Sequence, residues 1–298
     1  MIQIKRVSLI FSFVCLFSFS VLAKTTETVL EPLPSGHLLV DVTINKNTIK
    51  FVVDTGASSS VIDKHFAKTL ALKSLDNEPT IKAFTPGANI LEMQQYQVDG
   101  VDVGGLIKSP VVFVEQDLSP MFQGLSHHQI GGIIGQEVLA KFGLLLDISK
   151  KKLFLPNAEL LQGYTPIALQ PTVMGLSYIN TNINQINMNM LIDSGATEVM
   201  IDKAMAIKNN LGNISYESGM QGVNDDGSTR DIGFIKSSTI TLAGKRMDSI
   251  LLVDDFSSIL SQINQALSND QVCGLIGINA LANLSAIIDV KNQKLYIN

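Results

Sequence analysis

The chain has little of what marks several protein classes. Only 16% of its 298 residues are charged, and 22 Lys and Arg stand against 27 Asp and Glu with no basic block anywhere. This balance argues against a charged long helix and against a nucleic-acid partner held through its phosphates. Tryptophan is absent, and the 46% apolar content with 22 Gly and 9 Pro fits neither a disordered chain nor a collagen-like repeat. There are two cysteines, Cys15 and Cys273, and four histidines. His127 and His128 are adjacent, but with His37 and His65 elsewhere no Cys or acidic group keeps ligand spacing with them. No metal and no cofactor is therefore expected, and the His pair reads as a solvated loop.

What is present begins with an apolar leader. Lys5 and Arg6 precede an uncharged run over residues 7–23 that ends Val21-Leu22-Ala23. The layout is that of a secretory signal peptide cut after Ala23, and a run of 17 is short for a membrane span. An uncleaved anchor is the alternative; with cleavage no stable membrane span is left. The expected localisation is exported, periplasmic or secreted. Removing residues 1–23 leaves 20 basic against 27 acidic residues and Cys273 as the sole thiol, so no internal disulfide can form. Ser12-Phe13-Val14 before Cys15 lacks the small residue that precedes a lipoprotein cysteine. The few residues from Lys24 to about Thr28 are too short for a cleft-covering propeptide, so no large zymogen segment is expected.

The remainder repeats itself. Residues 36–64 match 175–203 at an offset of 139 with nine identities, among them Asp54 with Asp193, Gly56 with Gly195, and Asp63 with Asp202. A second block matches at an offset of 142: Gly132-Ile133-Ile134-Gly135 with Gly274-Leu275-Ile276-Gly277, and Asp147 with Asp289. Two units follow, 24–157 and 171–298, joined by a linker over 158–170. Each reads as mostly strand. A hairpin over 37–53 turns at Asn45-Lys46-Asn47 and runs into Asp54, and a second hairpin spans 144–155. Asp63 and Asp202 are expected to cap short helices over 64–70 and 203–211. Further short helices are expected over 139–142 and 281–284. A helix over 257–267 is expected in the second half alone. Asp147 and Asp289 read as turn residues.

The chemistry resides in two tripeptides. Phe51-Val52-Val53-Asp54-Thr55-Gly56-Ala57 and Met190-Leu191-Ile192-Asp193-Ser194-Gly195-Ala196 each place a carboxylate at the end of an apolar strand. A carboxylate in such surroundings is costly unless hydrogen bonds or a shared proton compensate it. One copy would be an ordinary turn. Two copies in a duplicated frame point to a two-fold site in which both Asp residues share one proton and activate water.

On these paired Asp-Thr/Ser-Gly-Ala segments, and on Ile133-Ile134-Gly135 with Leu275-Ile276-Gly277, residues 29–298 resemble a retropepsin-like aspartic protease with two units fused into a pepsin-like bilobal chain. The resemblance implies an all-β fold of two barrel lobes related by a pseudo-two-fold axis, with a few short helices, acting as a monomer whose own halves form the dimer. It implies that Asp54 and Asp193 hold the nucleophilic water, one as base and one as acid, with polypeptide as substrate. Thr55 and Ser194 would lock the loops across the axis, and Gly56 and Gly195 would admit backbone amides to the carboxylates. Ala57 and Ala196 stand where pepsin-like enzymes often have a hydroxyl donor, so the pair should titrate higher and the optimum should be weakly acidic. Flaps are expected around Phe84-Thr85-Pro86-Gly87-Ala88 and around Gly222, Val223 and Asn224; neither has the Tyr typical of a pepsin flap. A peptide-binding module with little or no activity, and an assembly scaffold, are the alternatives. Cys273 is expected to be buried and inert.

Overall fold

The computed structural model describes residues 26–75, 81–84, 90–122, 130–223, 228–267 and 271–298. The leader, the flap residues Thr85 to Ala88 and Asn224, and His127-His128 lie outside the described residues.

Each unit closes a six-stranded barrel around its own apolar residues. In the first, Leu38–Ile44 pairs with Asn47–Val53, and the order continues through Ile130–Ile134, Val61–Asp63, Ile107–Gln116 and Gln95–Val103, which returns to Leu38–Ile44. The second repeats this with Ser177–Ile183, Ile186–Ile192, Val272–Ile276, Met200–Asp202, Lys245–Asp254 and Thr229–Leu242. The all-β architecture of two barrel lobes that the resemblance implies is the one observed. The first hairpin turns where expected, with Asn45 and Lys46 at φ 50° and 68° and their counterparts Asn184 and Gln185 at 49° and 70°. Two successive positive φ values make the tight turn that matches strand twist.

The barrels are joined by a six-stranded antiparallel sheet, three strands from each lobe. Glu27–Val29, Lys152–Phe154 and Leu145–Asp147 come from the first; Ile287–Asp289, Lys294–Ile297 and Thr165–Ala168 come from the second. At its centre Leu146 lies opposite Ile288, its own partner in the repeat, so the pseudo-two-fold axis passes between them. Asp147 and Asp289 close the turns by accepting the amides of Lys150 and Asn292 at 2.8 and 3.0 Å. Residues 158–164 of the expected linker lie against this sheet, where Leu160, Leu161 and Tyr164 pack on Leu145, Phe154 and Ile287.

Helix positions follow the expected signals with two differences. Asp63 accepts the amides of His65 and Phe66, and Asp202 that of Met205, capping Lys64–Thr69 and Lys203–Lys208. The helices Gln136–Phe142 and Ile278–Asn283 begin earlier than expected, directly after Gly135 and Gly277, which are still extended at φ −83° and ψ 175°. The helix Ser257–Ile263 is not confined to the second half. Ser119–Phe122 starts in the same way, with Ser119 N–H donating to Asp117 as Ser257 N–H donates to Asp255, both at 3.0 Å. The repeat was hidden there because only the Asp-x-Ser start is shared.

Candidate active site

Each Asp is set by a strand that passes beneath its loop. Asp54 N–H donates to Ile134 O at 3.0 Å and Gln136 N–H to Ala57 O at 2.9 Å, so the Ile130–Ile134 strand clasps the loop on both sides. In the second lobe Asp193 N–H donates to Ile276 O at 3.1 Å and Ile278 N–H to Ala196 O at 2.8 Å. The crossing explains the Gly that ends each apolar motif. A β-carbon at Gly135 would stand 2.9 Å from Ala57 O, and one at Gly277 would stand 2.3 Å from Glu198 O. Contacts that short do not occur between real atoms, so a side chain there would force the strand and loop apart.

Thr55 and Ser194 tie the two loops together across the lobes. Thr55 N–H donates to Ser194 Oγ and Ser194 N–H donates to Thr55 Oγ1, each at 3.0 Å. Thr55 Oγ1 then donates to Ile192 O at 2.8 Å, and Ser194 Oγ to Val53 O at 2.9 Å. Both side chains are buried, so these four bonds have no water to replace them.

The two carboxyl groups face one another across the pseudo-two-fold axis, each set against the glycine of the other lobe's loop. Gly56 N–H donates to Asp54 Oδ1 at 2.7 Å and Gly195 N–H to Asp193 Oδ1 at 2.8 Å. Ala196 N–H donates to the Asp193 main-chain carbonyl at 3.5 Å. Burial holds the Asp193 carboxyl well above the usual carboxylate range, and the neighbouring charge of Asp54 adds to the rise. The amide of Gly195 opposes it without reversing it. Two like charges facing one another resist ionising together, and the arrangement favours one proton shared between them.

The pair lies in a cavity of about 440 Å³. Val61, Met93, Val114 and Met121 line it from the first lobe, and Met174, Leu176, Phe256 and Ile263 from the second. Asp54 and Asp193 are the only charged side chains among its described lining residues.

Residues 40–138 match the family model of the aspartyl proteases. The match takes in the Asp54 loop, the clasping strand and the barrel between them, about a third of the chain. No curated protein matches the sequence. The aspartyl protease model stops at the first lobe, while the second reproduces that lobe's loop, clasp and barrel strand for strand.

The expected flap segments form hairpins. Ile81–Phe84 pairs with Ile90–Met93, with Phe84 opposite Ile90, and Met93 lines the cavity. Gly222 and Val223 end the strand Ser215–Val223, which pairs with Thr229–Leu242; neither lines the cavity among the described residues. Cys273 is buried, and burial pushes its thiol up, as an inert side chain requires.

Sequence reasoning missed three residues around the pair. His37 bonds the Gly195 carbonyl, Gln136 Nε2 donates to Met174 O at 3.3 Å across the lobes, and Glu137 accepts the amide of Ser60 at 2.7 Å beneath the Asp54 loop. The signal for His37 lay in the repeat itself, which pairs it with an apolar Leu176.

Proposed function

We propose that this chain is an exported aspartic endopeptidase in which Asp54 and Asp193 together activate one water molecule against a peptide carbonyl. The observation that carries the reading is that two carboxyl groups from two lobes meet in one cavity, each fixed by the amide two residues on and each set against the other lobe's glycine. With one proton between them, one group takes the proton of the attacking water as the other gives its proton to the carbonyl oxygen. The tetrahedral intermediate collapses when the nitrogen of the scissile bond is protonated and leaves. The apolar cavity walls suit a peptide whose side chains alternate to either side of an extended main chain. The leader ending at Ala23 would carry the enzyme out of the cytoplasm, and its own two lobes make the site as a monomer.

Asp54→Asn and Asp193→Asn test the reading on an unfolded protein substrate at weakly acidic pH. Each variant should lose activity by a factor on the order of 10² to 10⁴ while keeping its fold. Equal cleavage by the wild type and both variants overturns it. Binding of peptide by the wild type without cleavage would make the chain a binding module.

A further inference from the structure

The two lobes give the cleft two matching walls, and the walls differ in charge. Ser59, Val61, Val114 and Gln116 line the cavity on the Asp54 side. Their counterparts in the second lobe are Glu198, Met200, Leu252 and Asp254. The backbones at these positions correspond. Val61 pairs with Val114 and Ile133 as Met200 pairs with Leu252 and Leu275. A β-carbon on Gly135 would meet Ser59, and one on Gly277 would meet Glu198, so the clasping strand passes both residues in the same way. The pseudo-two-fold axis thus puts Glu198 beyond Asp193 where it puts Ser59 beyond Asp54. Met200 and Leu252 beside it are half-buried, whereas Val61 and Val114 are buried.

Of the two acidic residues on this wall, Glu198 alone keeps its charge uncompensated. Arg230 holds Asp254 with two nitrogens, Nε at 3.0 Å from Oδ1 and Nη2 at 2.6 Å from Oδ2. Glu198 Oε1 accepts from Asn279 Nδ2 at 2.6 Å, and among the described residues no Lys or Arg pairs with it. The amide fixes the carboxylate without neutralising it. The turn at Gly36 comes close to Asn279, but the His37 ring on that turn is engaged elsewhere, with Nε2 at 2.7 Å from Gly195 O and Nδ1 at 2.7 Å from Ser35 Oγ.

An extended peptide crossing the carboxyl pair lays one half of itself along each wall, so the two sides of its scissile bond meet different chemistry. On the Asp54 side the wall is neutral, with Ser59 and Gln116 among apolar side chains. On the Asp193 side an apolar bed lies next to a single carboxylate. Such a place suits Lys or Arg, whose aliphatic stem covers apolar surface while the charged head stays at its rim. We propose that Glu198 is a specificity-determining residue that selects a Lys or Arg side chain on the Asp193 side of the scissile bond, with a neutral side chain on the Asp54 side.

The inference rests on the proposed activity, so its test has a cutting arm and a binding arm. Lys is scanned through the positions on either side of a central apolar bond in otherwise neutral peptides, with norleucine as the uncharged control for its stem. In the wild type kcat/KM should favour Lys over norleucine by about fivefold on one side of the bond, the scale of a partly exposed ion pair. Raising salt from about 0.01 M to about 0.1 M shortens the screening length from about 30 Å to about 10 Å and should shrink that ratio. Glu198→Gln keeps an acceptor for Asn279 and should abolish the preference. Ser59→Glu should create a matching preference on the other side of the bond. The same peptides with the central carbonyl reduced to a methylene cannot be cut, and calorimetry of their binding reads the ratio of Lys to norleucine independently. A wild type that cuts without preferring Lys at any position, or a ratio unmoved by Glu198→Gln, overturns the inference and leaves the protease reading standing. A wild type that cuts nothing, yet binds the Lys peptide more tightly than Glu198→Gln does, sinks the protease reading and leaves this one. Neither cutting nor binding overturns both.

Discussion

Gly56 of the first lobe lies so close beneath the Asp193 carboxylate of the second that a β-carbon on it would stand 2.4 Å from Oδ1. Gly195 meets Asp54 in the same way, with its β-carbon position 2.3 Å from the carboxyl carbon. Each lobe thus uses its Gly twice: the amide holds its own aspartate, and the missing side chain leaves room for the other lobe's. Sequence suggested the first role only.

Gly56→Ala and Gly195→Ala should therefore separate the carboxyls. Neither Gly has a positive φ, so the cost is steric and falls on the dyad. A displacement on the order of 1 Å is enough to cost roughly 10²-fold in rate. Stability should fall by about 1–3 kcal/mol, the usual effect of overpacking. Steady-state kinetics and urea denaturation read the two effects, and a fully active Gly56→Ala variant would contradict the close approach.

Thr55 and Ser194 exchange two hydrogen bonds and each donates one more to the other lobe's strand, four in one unit, so their truncations should not add. Ser194→Ala strips the Thr55 amide and the Val53 carbonyl of partners, and Thr55→Ala strips the Ser194 amide and the Ile192 carbonyl. Each orphaned buried group costs about 1–3 kcal/mol. In the double variant the loss should be smaller than the sum by at least about 0.5 kcal/mol. A double-mutant cycle by chemical denaturation measures this, and strict additivity would mean that the lobes are locked elsewhere.

The raised Asp193 carboxyl predicts how stability follows pH. In the unfolded chain this group ionises from its ordinary value of 3.8, whereas in the folded protein it keeps its proton to higher pH. Above that ordinary value the folded state binds the extra proton, so this group's contribution is fully present below it and is lost as pH rises through the folded value. Asp193→Asn removes the ionisation and should raise the melting temperature near neutral pH, with a smaller gain at pH near 3.8. Calorimetry of both proteins across this range tests the sign, and destabilisation near neutral pH would show that the ionised pair is welcome in the fold.

The parts of this fold that repeat were legible, because duplicated residues betray their own importance. Asp54, Asp193 and the motifs ending in Gly135 and Gly277 stand out by recurring, and the caps Asp63 and Asp202 recur with them. What did not repeat was hidden. His37, Gln136 and Glu137 act at contacts between segments far apart in sequence, and nothing local distinguishes them from solvated polar residues. The first lobe's short helix escaped notice because it shares only its start signal with Ser257–Ile263. The central sheet was half visible: its hairpins were expected, but the pairing of Leu146 with Ile288 arises only when the lobes meet.

A last asymmetry concerns the hairpin that carries Gly222. Arg230 pairs with Gly222 across that hairpin, and its guanidinium passes over the Gly face, where a β-carbon would lie 3.0 Å from Cζ. The same guanidinium holds Asp254 with two nitrogens, Nε at 3.0 Å from Oδ1 and Nη2 at 2.6 Å from Oδ2. At the matching position of the first lobe, 138 residues earlier, stands the neutral Gln116, which lines the cavity. The Asp254 side chain is only 2% exposed, so taking Arg230 away leaves a charge with little water around it. Arg230→Met should cost about 3–5 kcal/mol, and Arg230→Met with Asp254→Leu should recover most of that, since the buried pair is worth little against apolar replacements of like size. Proteolysis at the hairpin should speed in the single variant and slow again in the double. If the single variant is as stable and as resistant as the wild type, the ion pair does not hold the hairpin to its barrel.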